Sequence, residues 1–162
     1  MFQQSFFSIY TKFKMNFYQK VFERIQEREA TLTTVETFCM EMIYALDNPT
    51  VAEFANFANI SSPNAAYKVN SLVKKGYLRK VQSKDDKREY HLEATEKYIN
   101  YYNISYGYMQ VIMDRIKNRL SSEELEVLDR VLEIIDKELM PEIHIDSRFY
   151  CRCQYQDIGK WY

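Results

Sequence analysis

The run Pro49–Leu92, PTVAEFANFANISSPNAAYKVNSLVKKGYLRKVQSKDDKREYHL, decides how this chain is read. It opens on Thr50-Val51-Ala52-Glu53, where a hydroxyl and a carboxylate three residues apart satisfy the first unpaired amides of a helix. That helix is short and ends near Ala58. Ala55 and Asn59 then stand four apart, the first small enough for close helix approach and the second tolerant of a left-handed backbone. Ile60 fills the core beneath the turn, and Ser61-Ser62-Pro63 restarts the chain with a hydroxyl cap and a proline in the first turn. A second helix, Pro63 to Lys75, turns Ala65, Val69, Leu72 and Val73 inward. Asn64, Tyr67, Lys68, Ser71, Lys74 and Lys75 lie outward, and Gly76 ends the helix.

From Tyr77 the period falls to two, with Leu78 and Lys80 on one side and Tyr77, Arg79 and Val81 on the other. A charged tip, Ser83-Lys84-Asp85-Asp86-Lys87-Arg88, separates this strand from the return Glu89-Tyr90-His91-Leu92. Two short helices and a hairpin make a winged helix-turn-helix. The outward face of the second helix offers hydrogen-bonding groups at its N-terminal end, where such a helix meets base edges in a major groove. The tip suits minor-groove or phosphate contact by Arg88, Lys87 and Lys84, with Asp86 bracing Arg88. A solvated turn can carry the same charges; the position directly after this helix is what favours a wing.

Charge distribution supports that reading more than net charge does. The chain carries −1 overall, yet Ser61–Leu92 holds eight lysines and arginines against three carboxylates. A basic island on an acidic body suits a protein that touches phosphates with one surface.

Upstream, Phe2 to Arg28 places Phe6, Tyr10, Phe13, Phe17, Val21 and Ile25 on one helical face, widened by Phe7, Ile9, Tyr18 and Phe22. So aromatic a helix requires cover, and a second copy of the chain is the expected one. Thr33-Thr34-Val35-Glu36 spells another capping box; the helix after it is expected to bury Val35, Phe38, Met42 and Leu46 and to stop at Asp47-Asn48-Pro49. Cys39 lies beside that face and reads as a small core hydrophobe, with no cation nearby in sequence to lower its pKa.

Downstream, a cap at Thr95 opens a long helix with Tyr98, Tyr102, Met109, Ile112, Ile116 and Leu120 on its apolar face. After the capping box Ser121-Ser122-Glu123-Glu124, the spacing of Leu125, Leu128, Leu132, Ile135 and Leu139 predicts a second long helix antiparallel to the first. These helices are assigned to a dimer interface. Beyond Pro141 the periodicity dissolves into a tail with His144, Cys151, Cys153 and Trp161; one Cys-x-Cys lacks the paired spacing of a zinc site, so no metal is assigned. The tail aromatics Phe149, Tyr150, Tyr155 and Trp161 are expected to pack on the body or a neighbouring chain.

Composition narrows the class. Three glycines and three prolines disfavour a phosphate-cradling loop or a β-rich fold. Three cysteines make a sparse, odd set that fits a reducing compartment, and no segment approaches the roughly 20 apolar residues of a bilayer span, so cytoplasm is the expected location, without membrane contact. His91 and His144 accompany no nucleophile in a recognisable motif; catalysis and a cofactor are not expected. His91 is read as a hairpin residue facing the first helices.

With the hairpin in place, Ile60–Leu92 resembles the MarR (multiple antibiotic resistance regulator) family of bacterial transcription factors. The likeness rests on Leu72-Val73-Lys74-Lys75-Gly76-Tyr77-Leu78 before the wing, on Asp86-Lys87-Arg88 as the Asp-x-Arg wing signature, and on His91-Leu92-Glu93-Ala94-Thr95-Glu96-Lys97 leading into a dimerisation helix. It covers about residues 5 to 140. The resemblance implies a homodimer on a palindromic operator in double-stranded DNA, with affinity lost when a small phenolic or lipophilic compound, a metal or an oxidant acts on it. The aromatic-lined space expected between the dimer helices and the wing domain would suit a small apolar or aromatic effector, although such aromatics more often form core. By position, base reading would fall to Asn64, Ala66 and Tyr67, phosphate contact to Ser62 and Ser71, and the minor groove to Arg88; Lys68, Lys84, Asp86 and Lys87 complete the expected surface. Three positions depart from the pattern: Lys68 for an apolar residue, Tyr67 where arginine or another polar group is frequent, and Tyr98 for glycine, the last expected to affect local packing alone.

The expected architecture is therefore mainly α with a small β-hairpin wing: a dimerisation helix over 1–30, a winged helix-turn-helix over 31–93, dimerisation helices over 94–140 and a tail over 141–162. The expected function is sequence-specific transcriptional regulation, most simply repression. The alternative is a winged-helix module that binds protein and uses its lysines for solubility.

Overall fold

The computed structural model describes residues 1–26, 32–84, 86–102, 104–143 and 145. The expectations for Asp85, for His144 and for the tail residues Phe149, Tyr150, Cys151, Cys153, Tyr155 and Trp161 lie outside these residues, as do those for the side chains of Ile25 and Tyr102. The elements run α1 (Phe2–Gln26), α2 (Thr34–Ala45), α3 (Val51–Phe57), α4 (Ser62–Lys74), β1 (Leu78–Gln82), β2 (Tyr90–Ala94), α5 (Glu96–Tyr102), α6 (Ile104–Arg119) and α7 (Ser122–Glu138). The architecture is mainly helical with one antiparallel hairpin, as expected.

Local chemistry sets most boundaries. Thr33, Thr50 and Ser121 each cap a helix with a reciprocal box to Glu36, Glu53 and Glu124. α3 and α4 both end in a paired six-to-one and five-to-two hydrogen-bond pattern. At α3, Ile60 N–H donates to Ala55 O at 3.0 Å and Asn59 N–H to Asn56 O at 3.2 Å; at α4, Tyr77 N–H donates to Leu72 O at 3.0 Å and Gly76 N–H to Val73 O at 2.9 Å. That geometry needs a left-handed residue after the helix, and Asn59 (φ 51°) and Gly76 (φ 79°) supply it. The turn between α2 and α3 uses Asp47 and Asn48 in the same region.

The core lies within residues 32–98. Met40, Ile43 and Tyr44 of α2, Phe54 and Ala55 of α3, Ala65, Val69 and Leu72 of α4, Leu78, Leu92, Tyr77 and Tyr98 are all buried. Each large apolar side chain so enclosed contributes about 1.5–3 kcal/mol. The inward face expected for α4 is the buried one. The face expected for α2 is not: Thr37, Cys39, Met40, Ile43 and Tyr44 are buried, while Val35 and Phe38 are exposed. α2 is apolar on two sides, and the Val35–Phe38 side turns toward α1, where the Phe38 and Phe17 rings lie 6.2 Å apart.

The hairpin pairs Leu78 with Ala94 through Gln82 with Tyr90. It also has an edge partner that its period could not show. Leu92 N–H donates to Pro49 O at 2.8 Å, Thr50 bridges His91, and His91 Nδ1 lies 2.9 Å from Asn48 O. Pro49 has no N–H but keeps its carbonyl, so it can border a sheet as an acceptor. His91 thus faces the turn before α3.

Thr95 and Tyr98 tie the downstream helices to the rest of the fold. Thr95 Oγ1 donates to Gly76 O at 2.7 Å, tying the start of α5 to the end of α4. Tyr98 is more than a local change: it is fully buried, its ring sits 5.5 Å from that of Tyr44, and its hydroxyl donates to Glu41 Oε1 at 2.6 Å. It joins α5 to α2. α6 packs on α1, where Phe13 and Tyr108 meet edge-on at 5.5 Å, and α7 buries none of its side chains. The expected pairing of the two long helices therefore does not enclose the apolar face of α7. Among the described residues, no helix is long and apolar enough to cross a membrane.

Candidate nucleic-acid interface

Helix α4 has one wholly buried side, Ala65, Val69 and Leu72, so its opposite side must face outward. Ser62 and Asn64 are exposed near its N-terminus, Tyr67 is 75% exposed, and Ala66, Lys68 and Ser71 are half-buried. Ser61 occupies the cap position without a side-chain cap hydrogen bond, which differs from the expected hydroxyl cap and leaves the first amides of α4 without that acceptor. Pro63, in the first turn, has no amide to satisfy.

The wing is joined to α4 directly: Lys80 Nζ donates to Asn70 Oδ1 at 2.9 Å. Its tip is a network built on Asp86. The Asp86 carboxylate accepts the Arg88 main-chain N–H at 2.8 Å, its own N–H donates to Ser83 Oγ at 3.3 Å, and its carbonyl accepts Glu89 N–H at 3.0 Å. Gln82 Nε2 donates to Lys87 O at 2.5 Å. Asp86 does brace Arg88, but through the backbone. Lys84, Asp86, Lys87 and Arg88 are exposed.

The basic island is less uniformly available than its composition suggests. Arg79 Nε donates to Glu93 Oε2 at 2.7 Å across the hairpin, and Lys75 Nζ to Glu36 Oε2 at 2.7 Å. Ser71, expected near a phosphate, donates its hydroxyl to Glu36 Oε1 at 2.8 Å. Burial works against the charge of Glu36, but hydrogen bonds from Lys75, Thr33 and Ser71 outweigh it and hold the carboxyl at about 2, below its ordinary 4.5. Glu36 was legible only as a cap residue, since contacts across 35 and 39 positions leave no local pattern. Cys39 sits in the core, where burial pushes its thiol up; Lys68, distant in sequence, opposes that shift without reversing it.

At the C-terminal end of α4, Lys97 Nζ donates to Lys75 O at 2.8 Å and lies 4.2 Å from the centroid of the Tyr77 ring. A cation there meets the negative end of the helix dipole. The end of α4 is thus held by α5, the element that leads to the long helices.

A helix with one buried and one polar face, entered by a tight turn and followed by a hairpin with a cationic tip, defines a winged helix-turn-helix protein. Residues 32–90 match the model of the MarR family. Solved structures share the wider fold. Tm0710, a transcriptional regulator from Thermotoga maritima, superposes with a TM-score of 0.60 at 17% identity, covering 85% of this chain and 96% of its own. A point mutant of MepR from a multidrug-resistant S. aureus clinical isolate gives 0.59 at 17% identity, over 86% of this chain and 98% of its own. FabT from Streptococcus pneumoniae, solved in complex with DNA, gives 0.53 at 20% identity, over 86% and 97%. No curated protein sequence matches this chain.

Proposed function

We propose that the protein is a dimeric, sequence-specific DNA-binding transcriptional regulator, acting as a repressor that an effector releases. The observation that carries this reading is the outward side of α4, with exposed Asn64 and Tyr67, set beside a hairpin whose exposed tip holds Lys84, Lys87 and Arg88 within the stretch that matches the MarR family. In this reading the α4 side chains enter a major groove, with Asn64, Ala66 and Tyr67 at base edges, Ser62 and Lys68 near phosphates, and Arg88 in the minor groove. The start of α4, which the Ser61 side chain does not cap, favours a phosphate there. FabT, which shares the fold, was solved with DNA.

Dimerisation is supported by what the single chain leaves uncovered. Phe2, Phe6, Phe7, Ile9 and Tyr10 of α1 and Leu132 and Leu139 around the end of α7 are exposed. α1 bears Lys12, Lys14, Lys20 and Arg24 against Glu23, whereas α7 has seven carboxylates against Arg130 and Lys137. Opposite charges on two apolar helices suit α1 of one copy against α7 of the other, repeated about a two-fold axis. Two wings so fixed would meet half-sites about one helical turn apart. A small apolar or aromatic effector would act by shifting α1 and α6 relative to the α4–α5 junction.

Selection of bound fragments from a genomic duplex library tests the proposal. Enrichment of a palindromic sequence is the expected result. Retention of no duplex even at low salt would favour the protein-binding module, a reading to which the neutralised Lys75 and Arg79 lend some support.

A further inference from the structure

We propose that Glu36 is the positioning residue of the DNA-reading helix: its carboxylate brackets α4 to the start of α2, and DNA affinity depends on that bracket. The inference rests on the DNA-binding function proposed above and assigns a role within it.

The chain contains its own comparison. Three capping boxes share one spelling, and in each the carboxylate accepts the N–H of its own cap residue, Thr33 at 2.8 Å, Thr50 at 2.7 Å and Ser121 at 2.8 Å. Glu53 and Glu124 are exposed residues, as a capping carboxylate can be. Glu36 differs, with a side chain only 12% exposed and two further donors, both from α4: Ser71 Oγ on Oε1 and Lys75 Nζ on Oε2. A cap needs one oxygen. The second oxygen and the burial are explained by the hold on α4.

The two α4 donors stand four residues apart, one above the other on a single turn, so they resist both rolling and sliding of the helix. Lys80 holds the adjacent Asn70 from the wing side. Ser71 also continues the stripe that begins at Asn64 and passes through Tyr67, so the bracket grips the far end of the face that reads bases. Asn64 lies seven residues from Ser71, about 10 Å along the helix, and a tilt of about 10° would displace it by about 2 Å. A hydrogen bond to a base edge does not survive that displacement.

Lys75 and Ser71 are accordingly structural partners rather than phosphate contacts. The competing role has the opposite signature. If Lys75 leaves Glu36 for a phosphate, removing the carboxylate frees a cation and tightens binding.

The test uses the full chain and a duplex selected by the unaltered protein, with affinity measured by fluorescence anisotropy over a salt series. Glu36→Gln keeps the length and the capping acceptor, because glutamine also serves in a capping box, but loses the charge that holds Lys75. The expected result is affinity weaker by about tenfold, the loss of roughly one base contact, with the salt slope unchanged. Lys75→Met, which leaves the α2 cap intact, is expected to do the same and keeps the test open if Glu36→Gln fails to fold. Unchanged or tighter binding by folded Glu36→Gln overturns the proposal, as does a Lys75→Met loss accompanied by a slope smaller by about 0.9, the mark of a lost phosphate contact. Failure of the unaltered protein to bind any duplex is a separate outcome, which removes the DNA reading and this inference together.

Discussion

Gly76 turns the corner between α4 and β1 at a φ of 79°, and the nearest atom to a Cβ added there is Lys97 Cδ at 4.0 Å. The strain of Gly76→Ala is therefore conformational rather than steric. It should cost about 1 kcal/mol, and a thermal melt should fall by about 3 °C without loss of the helical signal. At Tyr98 the hydroxyl matters, because it meets Glu41 from a fully buried ring. Tyr98→Phe should cost about 1–2 kcal/mol in urea denaturation, and a value near zero would show that the contact adds no net stability. Sequence reading found both positions but weighed them unequally. A glycine after a helix has one common use, whereas the effect of a tyrosine in place of glycine depends on what lies opposite, and Tyr44 and Glu41 stand far from it in the chain. Arg88→Ala should weaken DNA binding and reduce the salt slope by about one ion, measured by a salt titration of binding.

Among elements, those whose limits are written in local chemistry were the most legible. Three capping boxes, the stops at Asn59 and Gly76 and the alternation of the hairpin all lie within a few residues of the features they determine. α2 shows where that legibility ends. Its spacing allows two apolar faces, and only the position of α1 decides that Phe38 meets Phe17 while Met40 and Ile43 enter the core. Glu36 gives α2 a distinct pH signature. Its folded pKa is depressed, so its contribution is complete above the ordinary value of 4.5 and is lost as pH falls through about 2. Glu36→Gln should therefore lie about 3 kcal/mol below the unaltered protein at pH 7, with the gap closing toward pH 2. Urea denaturation at the two pH values measures it, and a gap that persists at pH 2 would place the effect in the cap instead.

For the molecule as a whole, sequence reading recognised an excess of apolar helix surface but not how it is shared. Amphipathic spacing says that a face is covered, not by what: α6 lies on α1, and α7 buries no side chain of its own within the chain. Leu132, 48% exposed, should therefore tolerate a charge in the monomer but not in a dimer. Leu132→Glu is expected to keep its circular dichroism spectrum, sediment as a monomer and bind DNA more weakly. The candidate DNA surface follows the same division. Its exposed members were readable from spacing, but the neutralisation of Lys75 by Glu36 and of Arg79 by Glu93 depends on contacts across the fold.

The most direct test of the central claim is a binding titration of the full chain on the duplex flanking its own coding region, repeated from low to high salt. The expected result is saturation at two chains per duplex, preference over a scrambled sequence, and a log–log salt slope of several ions, as for a surface that neutralises several phosphates. No binding at low salt, or a slope near zero with no sequence preference, would contradict it.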